Sequence, residues 1–383
     1  MKALHVFNQP RGRGGSLDAT RATIRTLRDR GIEVEVFTRD SCEIPATLIG
    51  RLRTAASALY ARQSVKEFQK FLEVTRPEIV HINELFPLIS PWILPECTRR
   101  GIPVVMSVDD YHLTCPVRSH FRHGQVCTEC LGGREYRAIR NNCRGRMTES
   151  LTMAAKSMIA RHFRLYRDHV AHYVFPSRFT RDFMVRELAI DAKRTSIIPF
   201  IIDIPEIAAD PAEGQYIAFA GRFAPEKGID VLLEASRLSR LPVRLGRAAD
   251  HLVTVDLPEG VETVINRNRE DLDRFYRGAR FIVVPSIWFE TFGIVGGEAM
   301  SRGIPIIVSD IGAVAELVDP GVHGLRFRTS DASDLAEKMQ QLWHDPERCR
   351  NMGRAAREKM IANNSAARHG AAMDELYRSL CGG

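Results

Sequence analysis

Short apolar runs alternate with amphipathic stretches along the chain, the pattern of a parallel sheet whose strands are joined by crossover helices. In the first half this predicts strands at Ala3–Phe7, Glu33–Phe37, Ile79–Ile82, Val104–Val108, Tyr173–Phe175 and Ser196–Ile198. Helices are expected between them, including Leu17–Asp29 and a long basic one over Glu149–His169. The second half repeats the scheme, with strands near Tyr216–Ala220, Val243–Leu245, Thr263–Ile265, Phe281–Val284 and Ile304–Val308. Between the halves, Pro199–Gly214 holds three prolines and two aspartates, a composition that resists regular structure. The expected fold class is therefore α/β, with two Rossmann-like, doubly wound parallel-sheet lobes. The N-terminal lobe covers residues 1–203 and the C-terminal lobe 204–365.

Polar side chains placed just after apolar strands carry the chemistry. The strand Tyr216–Ala220 runs into Gly221, and the cations Arg222 and Lys227 follow. Arginine grips phosphate bidentately, and lysine acts beside it as a mobile point charge. After Phe281–Ser286 come two acids, Glu290 and Glu298, separated by a glycine-containing turn and a helix start. One is expected at the end of a buried strand and the other about two helical turns away on roughly the same side. An ionised carboxylate only accepts hydrogen bonds, which suits hydroxyl-rich ligands such as a sugar or a ribose. Together the two segments predict a site for a nucleoside-diphosphate sugar. Gly246 and Asn266, after two further strands, are candidate base contacts. For all these charges the bland reading is an exposed helix cap.

The first half offers three more features. Pro10-Arg11-Gly12-Arg13-Gly14-Gly15-Ser16 follows the first strand, and its glycines allow close approach of a ligand to backbone N–H groups. His81 lies inside an apolar strand and reads as a satisfied core histidine before it reads as a catalyst. Cys115, Cys127, Cys130 and Cys143 are spaced C-x11-C-x2-C-x12-C in an aperiodic segment, residues 111–150, that something must order. Four thiolates around a structural zinc ion would do so, and reduced buried thiols are the alternative.

The quoted residues resemble retaining family 4 glycosyltransferases of the GT-B architecture. The resemblance rests on four motifs in order: G-R-x4-K-G at Gly221–Gly228, P-S-x3-E-x-F-G at Pro285–Gly293, the E-x7-E pair, and S-x-x-G-x-x-x-E-L at Ser309–Leu317. It implies sugar transfer from a UDP- or GDP-sugar to a hydroxyl of a glycan or lipid-linked acceptor, as in cell-surface polysaccharide synthesis, with no catalytic metal. It also implies that Arg222 and Lys227 neutralise the leaving diphosphate, Glu290 contacts the transferred sugar, and Glu298 binds the ribose. The backbone of Phe292, Gly293 and Ile294 would meet ligand oxygens, and Gly14 and Gly15 would touch donor phosphate or acceptor. A last helix, within 366–383, is expected to return to the N-terminal lobe. One departure stands out. In Val104–Pro116 the resembling strand ends in His-Asp-Tyr, whereas Asp109 occupies the histidine position here. Asp109 is kept as a catalytic candidate, with Asp110 and His112 as acceptor contacts. A non-catalytic nucleotide-sugar-binding subunit and a nucleotide-sugar epimerase are the alternatives.

Composition narrows the picture only modestly. The chain has 383 residues, 44% hydrophobic and 26% charged, as for an ordinary two-lobed globular protein. No apolar run approaches the roughly 20 residues that cross a bilayer, and the N-terminus reads as a strand rather than a signal peptide. A cytoplasmic location is expected. The net charge of +7 includes a cluster at Arg134, Arg137, Arg140, Arg144 and Arg146, continued by Lys156, Arg161, Arg164 and Arg167. No nucleic-acid motif accompanies it, so anionic acceptors or peripheral contact with phospholipid headgroups fit better.

Overall fold

The computed structural model of the chain describes residues 1–9, 15–43, 61–248 and 256–382. Two compact units emerge: one of Met1–His120, Cys127–Ile201 and Ala366–Gly383, the other of Phe121–Val126 and Ile202–Ser365. Each contains a six-stranded parallel sheet.

In the first unit the strands are β1 (Lys2–Gln9), β2 (Glu33–Asp40), β3 (Ile79–Glu84), β4 (Val104–Ser107), β7 (His172–Phe175) and β8 (Thr195–Ile197), ordered β2-β1-β3-β4-β7-β8. A two-stranded antiparallel hairpin, β5 (Phe121–Arg122) and β6 (Gln125–Val126), interrupts the sequence between β4 and β7. In the second unit β9 (Tyr216–Ala220), β10 (Val243–Ala248), β11 (Val261–Asn266), β12 (Ala279–Val284), β13 (Ile306–Ser309) and β14 (Gly324–Phe327) are ordered β11-β10-β9-β12-β13-β14. Helices cover both faces, so the central strands are apolar throughout: β9 and β13 are buried along their entire lengths.

The final helix, Ala366–Cys381, closes the first unit's core. Met373, Leu376 and Tyr377 pack with Ala3, Leu27, Ile79 and Val105. A buried polar chain ties it to the sheet. The Tyr377 hydroxyl lies 2.5 Å from His81 Nδ1 and 3.2 Å from His5 Nε2, His81 Nε2 meets Ser107 Oγ at 2.8 Å, and His5 Nδ1 meets Asn83 Oδ1 at 3.1 Å. His81 is thus a satisfied core residue. Burial holds its imidazole well below the ordinary histidine range and lowers that of His5 to about 4.

Two expectations need correction. The long helix over Glu149–His169 is two helices, Met147–His162 and Leu165–His169, because Arg164 sits between them at φ 51°, where a right-handed helix cannot continue. Strand β14 escaped the periodicity because it is four residues long and carries Arg326. Its Gly324 is required by contact: a Cβ there would stand 1.9 Å from the Ile306 carbonyl oxygen.

Candidate active site

The second unit brings polar groups together at the carboxyl ends of β9 and β12. Beyond β9 the chain makes a tight turn, Pro225–Lys227, ending at Gly228 with φ +67°. A Cβ on Gly228 would lie 1.9 Å from the Pro285 carbonyl oxygen, so only glycine lets this turn press against the segment after β12. The Glu226 carbonyl accepts a hydrogen bond from the Ile287 N–H at 3.0 Å, locking the two segments together.

That approach sets the central contact. Lys227 Nζ donates to Glu290 Oε1 at 2.5 Å, and Ser286 Oγ donates to the same oxygen at 2.8 Å. Lys227 also lies 5.4 Å from the centre of the Trp288 ring. Burial pushes the Glu290 carboxyl up. The charge and hydrogen bond of Lys227, with the hydrogen bond from Ser286 and the nearby Trp288 side chain, outweigh it and hold the group below the ordinary glutamate range. Glu290 is therefore a buried anion beside a cation. Its carbonyl accepts from Ala313 N–H, and Gly312, at φ +60°, passes close enough that a Cβ would lie 3.2 Å from Glu290 N.

Glu298 behaves differently. It projects from the helix Ile294–Ser301 and accepts from the Tyr276 hydroxyl at 2.9 Å. Burial pushes its carboxyl up, and the Tyr276 hydrogen bond and nearby Arg302 and Arg269 only partly reverse this. Gly293 begins the helix at φ 92° with no side-chain cap, so the first-turn N–H groups, Ile294 included, lack a capping oxygen from Gly293, and Phe292 is buried just before them. Such a turn attracts oxyanions.

The other candidates of this unit spread outward. Arg222 is exposed and pairs with Glu226 at 3.0 Å rather than with either acid of the E-x7-E motif. Gly246 and Asn266 are neighbours across β10 and β11: a Cβ on Gly246 would come 2.8 Å from Asn266 Nδ2. The buried Asn266 Oδ1 has no hydrogen-bond partner among the described residues. Sequence reasoning assigned no role to Ser286, Trp288 or Tyr276. Ser286 was visible as the serine of P-S-x3-E, whereas nothing local marks Tyr276.

In the first unit, a crevice of about 420 Å³ opens where β1, β3 and β4 end, the side on which parallel sheets hold ligands. Asn8, Asn83, Glu84, Asp109, Asp110 and His112 line it. His112 Nδ1 lies 2.7 Å from Asp110 Oδ1, and Arg118 Nε donates to Asp110 Oδ2 at 2.6 Å. Arg118 also pairs with Glu84, and burial lowers its guanidinium to about 10. A carboxylate oxygen accepts, so the Nδ1 facing Asp110 is the ring nitrogen that carries a proton, and Nε2 is left for another partner. Asp109 lies between this crevice and a small adjacent one lined by Ser107 and His369. Glu84 and Arg118 were not singled out in the sequence. The polar pair Asn83–Glu84 closing an apolar strand was the available signal. Gly14 lies outside the described residues, and Gly15 is the first residue of the helix Gly15–Asp29.

The cysteine loop is the segment to which the sequence assigned a metal. Among the described residues no three His, Cys, Asp or Glu side chains form a group that could hold a metal ion, so zinc at Cys115, Cys127, Cys130 and Cys143 finds no support. The four thiols do influence one another. Burial, then the charges of the other three, pushes Cys130 up to about 12. Cys130 and Cys143 instead pack with Ala138 and Ala154. Other side chains order the loop: His120 Nε2 meets Thr114 Oγ1 at 2.8 Å, His120 Nδ1 donates to the Cys127 carbonyl at 2.9 Å, and Arg161 Nε donates to Glu135 Oε1 at 2.7 Å.

The chain is similar to known proteins at the level of family and fold. The family model described as Glycosyltransferase Family 4 matches residues 13–205, and the one described as Glycosyl transferases group 1 matches residues 201–359. The uncharacterized glycosyltransferase MJ1178 of Methanocaldococcus jannaschii is 27% identical over 159 residues, 40% of this chain and 45% of that protein. The chain spans about half or less of the length of the curated relatives it matches. Sucrose-phosphate synthase from Thermosynechococcus elongatus has a similar structure, with a TM-score of 0.72 at 19% identity over 99% of this chain and 98% of that one. Anabaena HepE in complex with UDP-glucose is similar too, with a TM-score of 0.67 at 18% identity over 99% and 100% of the two chains. No described helix is long and apolar enough to cross a membrane.

Proposed function

Because the chain belongs to the family 4, group 1 glycosyltransferases, we propose that it transfers a hexose-type sugar from a nucleoside-diphosphate sugar to an acceptor hydroxyl, with retention at the anomeric carbon. The observation that carries this reading is the buried Lys227–Glu290 pair at the strand ends, beside an uncapped helix start. Lys227 is held where it can neutralise a departing diphosphate, and preorganised charge of this kind stabilises the transition state more than the ground state. The Ile294 helix turn supplies N–H groups to the same oxygens. Glu290 and Glu298 are acceptors for sugar and ribose hydroxyls, and Arg222 is a second, mobile cation.

In this reading the first unit binds the acceptor through Asp110 and His112, whose Nε2 can accept from a hydroxyl. Asp109 replaces the usual histidine as a hydroxyl acceptor. The sugar is delivered to the face that the phosphate leaves, the leaving oxygen taking the proton of the incoming hydroxyl. Donor binding is consistent with the UDP-glucose complex of the structurally similar HepE. The nucleobase and the acceptor are open to assay.

A panel of UDP-, GDP- and ADP-sugars in a thermal-shift experiment, followed by nucleotide-release assays, tests the proposal. One nucleotide sugar is expected to raise the melting temperature and to be turned over. Stabilisation by a nucleotide sugar without turnover under any acceptor condition would instead favour a binding subunit, and release of an epimerised free sugar would favour an epimerase.

A further inference from the structure

A second cavity of about 420 Å³, walled by the helices Met147–His162 and Leu165–His169 and by the cysteine loop, has no role in the site described above. Its lining carries four cations, Lys156, Arg161, Arg164 and Arg167, against the acids Glu135 and Glu187. Both acids are already engaged, Glu135 with Arg161 at 2.7 Å and Glu187 with Arg186 at 2.8 Å. Arg164 meets Asp168 at 3.0 Å. Gly133 makes room for Arg161, since a Cβ there would fall 2.9 Å from the guanidinium carbon.

Lys156 is in none of these ion pairs. Its ammonium lies 4.3 Å from the centre of the Phe86 ring, a contact that offers no acceptor atom. Among the described residues no carboxylate stands within ion-pair distance of it. Burial lowers this amine to about 7, the charge of Arg118 adding to the effect and that of Asp110 opposing it. Tyr166, also on the wall, is pushed up by burial and remains an O–H donor. A cavity lined by several cations and hydroxyl donors, two of its cations outside the ion pairs named above, suits a ligand with several acceptor oxygens and negative charge.

We infer that this cavity binds a phosphate group, with Lys156 as its anchor and Arg167 and Tyr166 as supporting donors. His112 lines both this cavity and the crevice at the ends of β1, β3 and β4, and Phe86, under Lys156, lines the crevice as well. The phosphate therefore sits one side chain away from the proposed acceptor position, which makes a phosphorylated acceptor the natural source. That attribution rests on the glycosyltransferase reading; phosphate binding by Lys156 does not.

The test is calorimetric titration of the full chain with inorganic phosphate in the presence of saturating UDP, which occupies the donor site. The parent is expected to bind phosphate, Lys156→Met to bind it about tenfold more weakly or worse, and Lys156→Arg to recover most of the affinity, with UDP affinity unchanged throughout. Arg167→Gln, at an exposed position, gives a second reading should Lys156→Met fold poorly, and is expected to weaken phosphate by a smaller factor. Equal phosphate affinity in the parent and a folded Lys156→Met overturns the inference, as does a parent that binds UDP but no phosphate. If UDP fails to bind while phosphate binding still depends on Lys156, the donor-site reading falls and the phosphate site stands. Glucose 6-phosphate binding more tightly than inorganic phosphate supports an acceptor-borne group; equal affinities overturn the attribution to an acceptor and leave a site for the free anion.

Discussion

Lys227 Nζ and Glu290 Oε1 meet at 2.5 Å although 63 residues separate them in the chain. The pair forms because β9 and β12 are adjacent parallel strands whose carboxyl ends lie side by side, and because Gly228 lets one turn touch the other.

Breaking that pair leaves an uncompensated charge in a buried place. Lys227→Met is expected to cost about 3–5 kcal/mol in denaturant unfolding, whereas Lys227→Met combined with Glu290→Gln costs clearly less than the sum of the single changes. Strict additivity would show that the two side chains do not act as a unit. Nucleotide affinity should fall in every variant that lacks the Lys227 ammonium.

Gly228→Ala places a methyl group 1.9 Å from a backbone oxygen at a left-handed φ. Its neighbour there is main chain and cannot turn aside. We expect a loss of at least about 3 kcal/mol of stability together with loss of nucleotide binding, measured by urea unfolding and by calorimetry. Near-parental stability and binding in this variant would contradict the contact.

Tyr276→Phe removes the hydroxyl that donates to Glu298 and so favours the protonated carboxyl. The folded-state pKa of Glu298 is already raised, so the change moves it further up. Ribose recognition that needs an ionised acceptor should then weaken most at the acid end of the working range and recover as pH rises. A ratio of parental to Tyr276→Phe nucleotide affinities that stays flat across pH would dissociate the tyrosine from the titration. The expected loss is about 1–2 kcal/mol at the acid end.

Acid should weaken the first unit through its buried histidines. His5, His81 and His369 all have folded-state values below the ordinary 6.5, that of His5 at about 4. Above pH 6.5 both states are neutral and nothing is lost. Below it the unfolded chain takes up protons that the folded chain refuses, so stability declines from about pH 6.5 towards pH 4, where His5 itself is protonated in place. The His5 contribution alone reaches about 3 kcal/mol. Urea unfolding at stepped pH should show this decline, and His5→Asn should reduce its slope.

Much of the architecture was legible from the chain alone. Runs such as Ile79–Ile82 and Phe281–Val284 are apolar because both faces of a central parallel strand are covered, and the turn at Gly221–Gly228 was marked by its own proline and glycine. These signals are local, since they follow from backbone hydrogen bonding and burial within a few residues. Strand β14 and the break at Arg164 were lost because a four-residue strand with a charge, and a left-handed arginine, carry almost no periodic signal.

The side-chain partnerships belonged to the tertiary structure. Whether Glu290 would face Lys227 or Arg222, whether Tyr276 would reach Glu298, and whether Lys156 would lie over Phe86 all depend on which strands and helices become neighbours and in what register. The cysteine spacing likewise brought four thiols within mutual influence, while packing on Ala138 and Ala154 decided how they are held. Periodicity is enforced residue by residue along the backbone. A pairing between distant side chains is enforced only by the geometry of the assembled sheet.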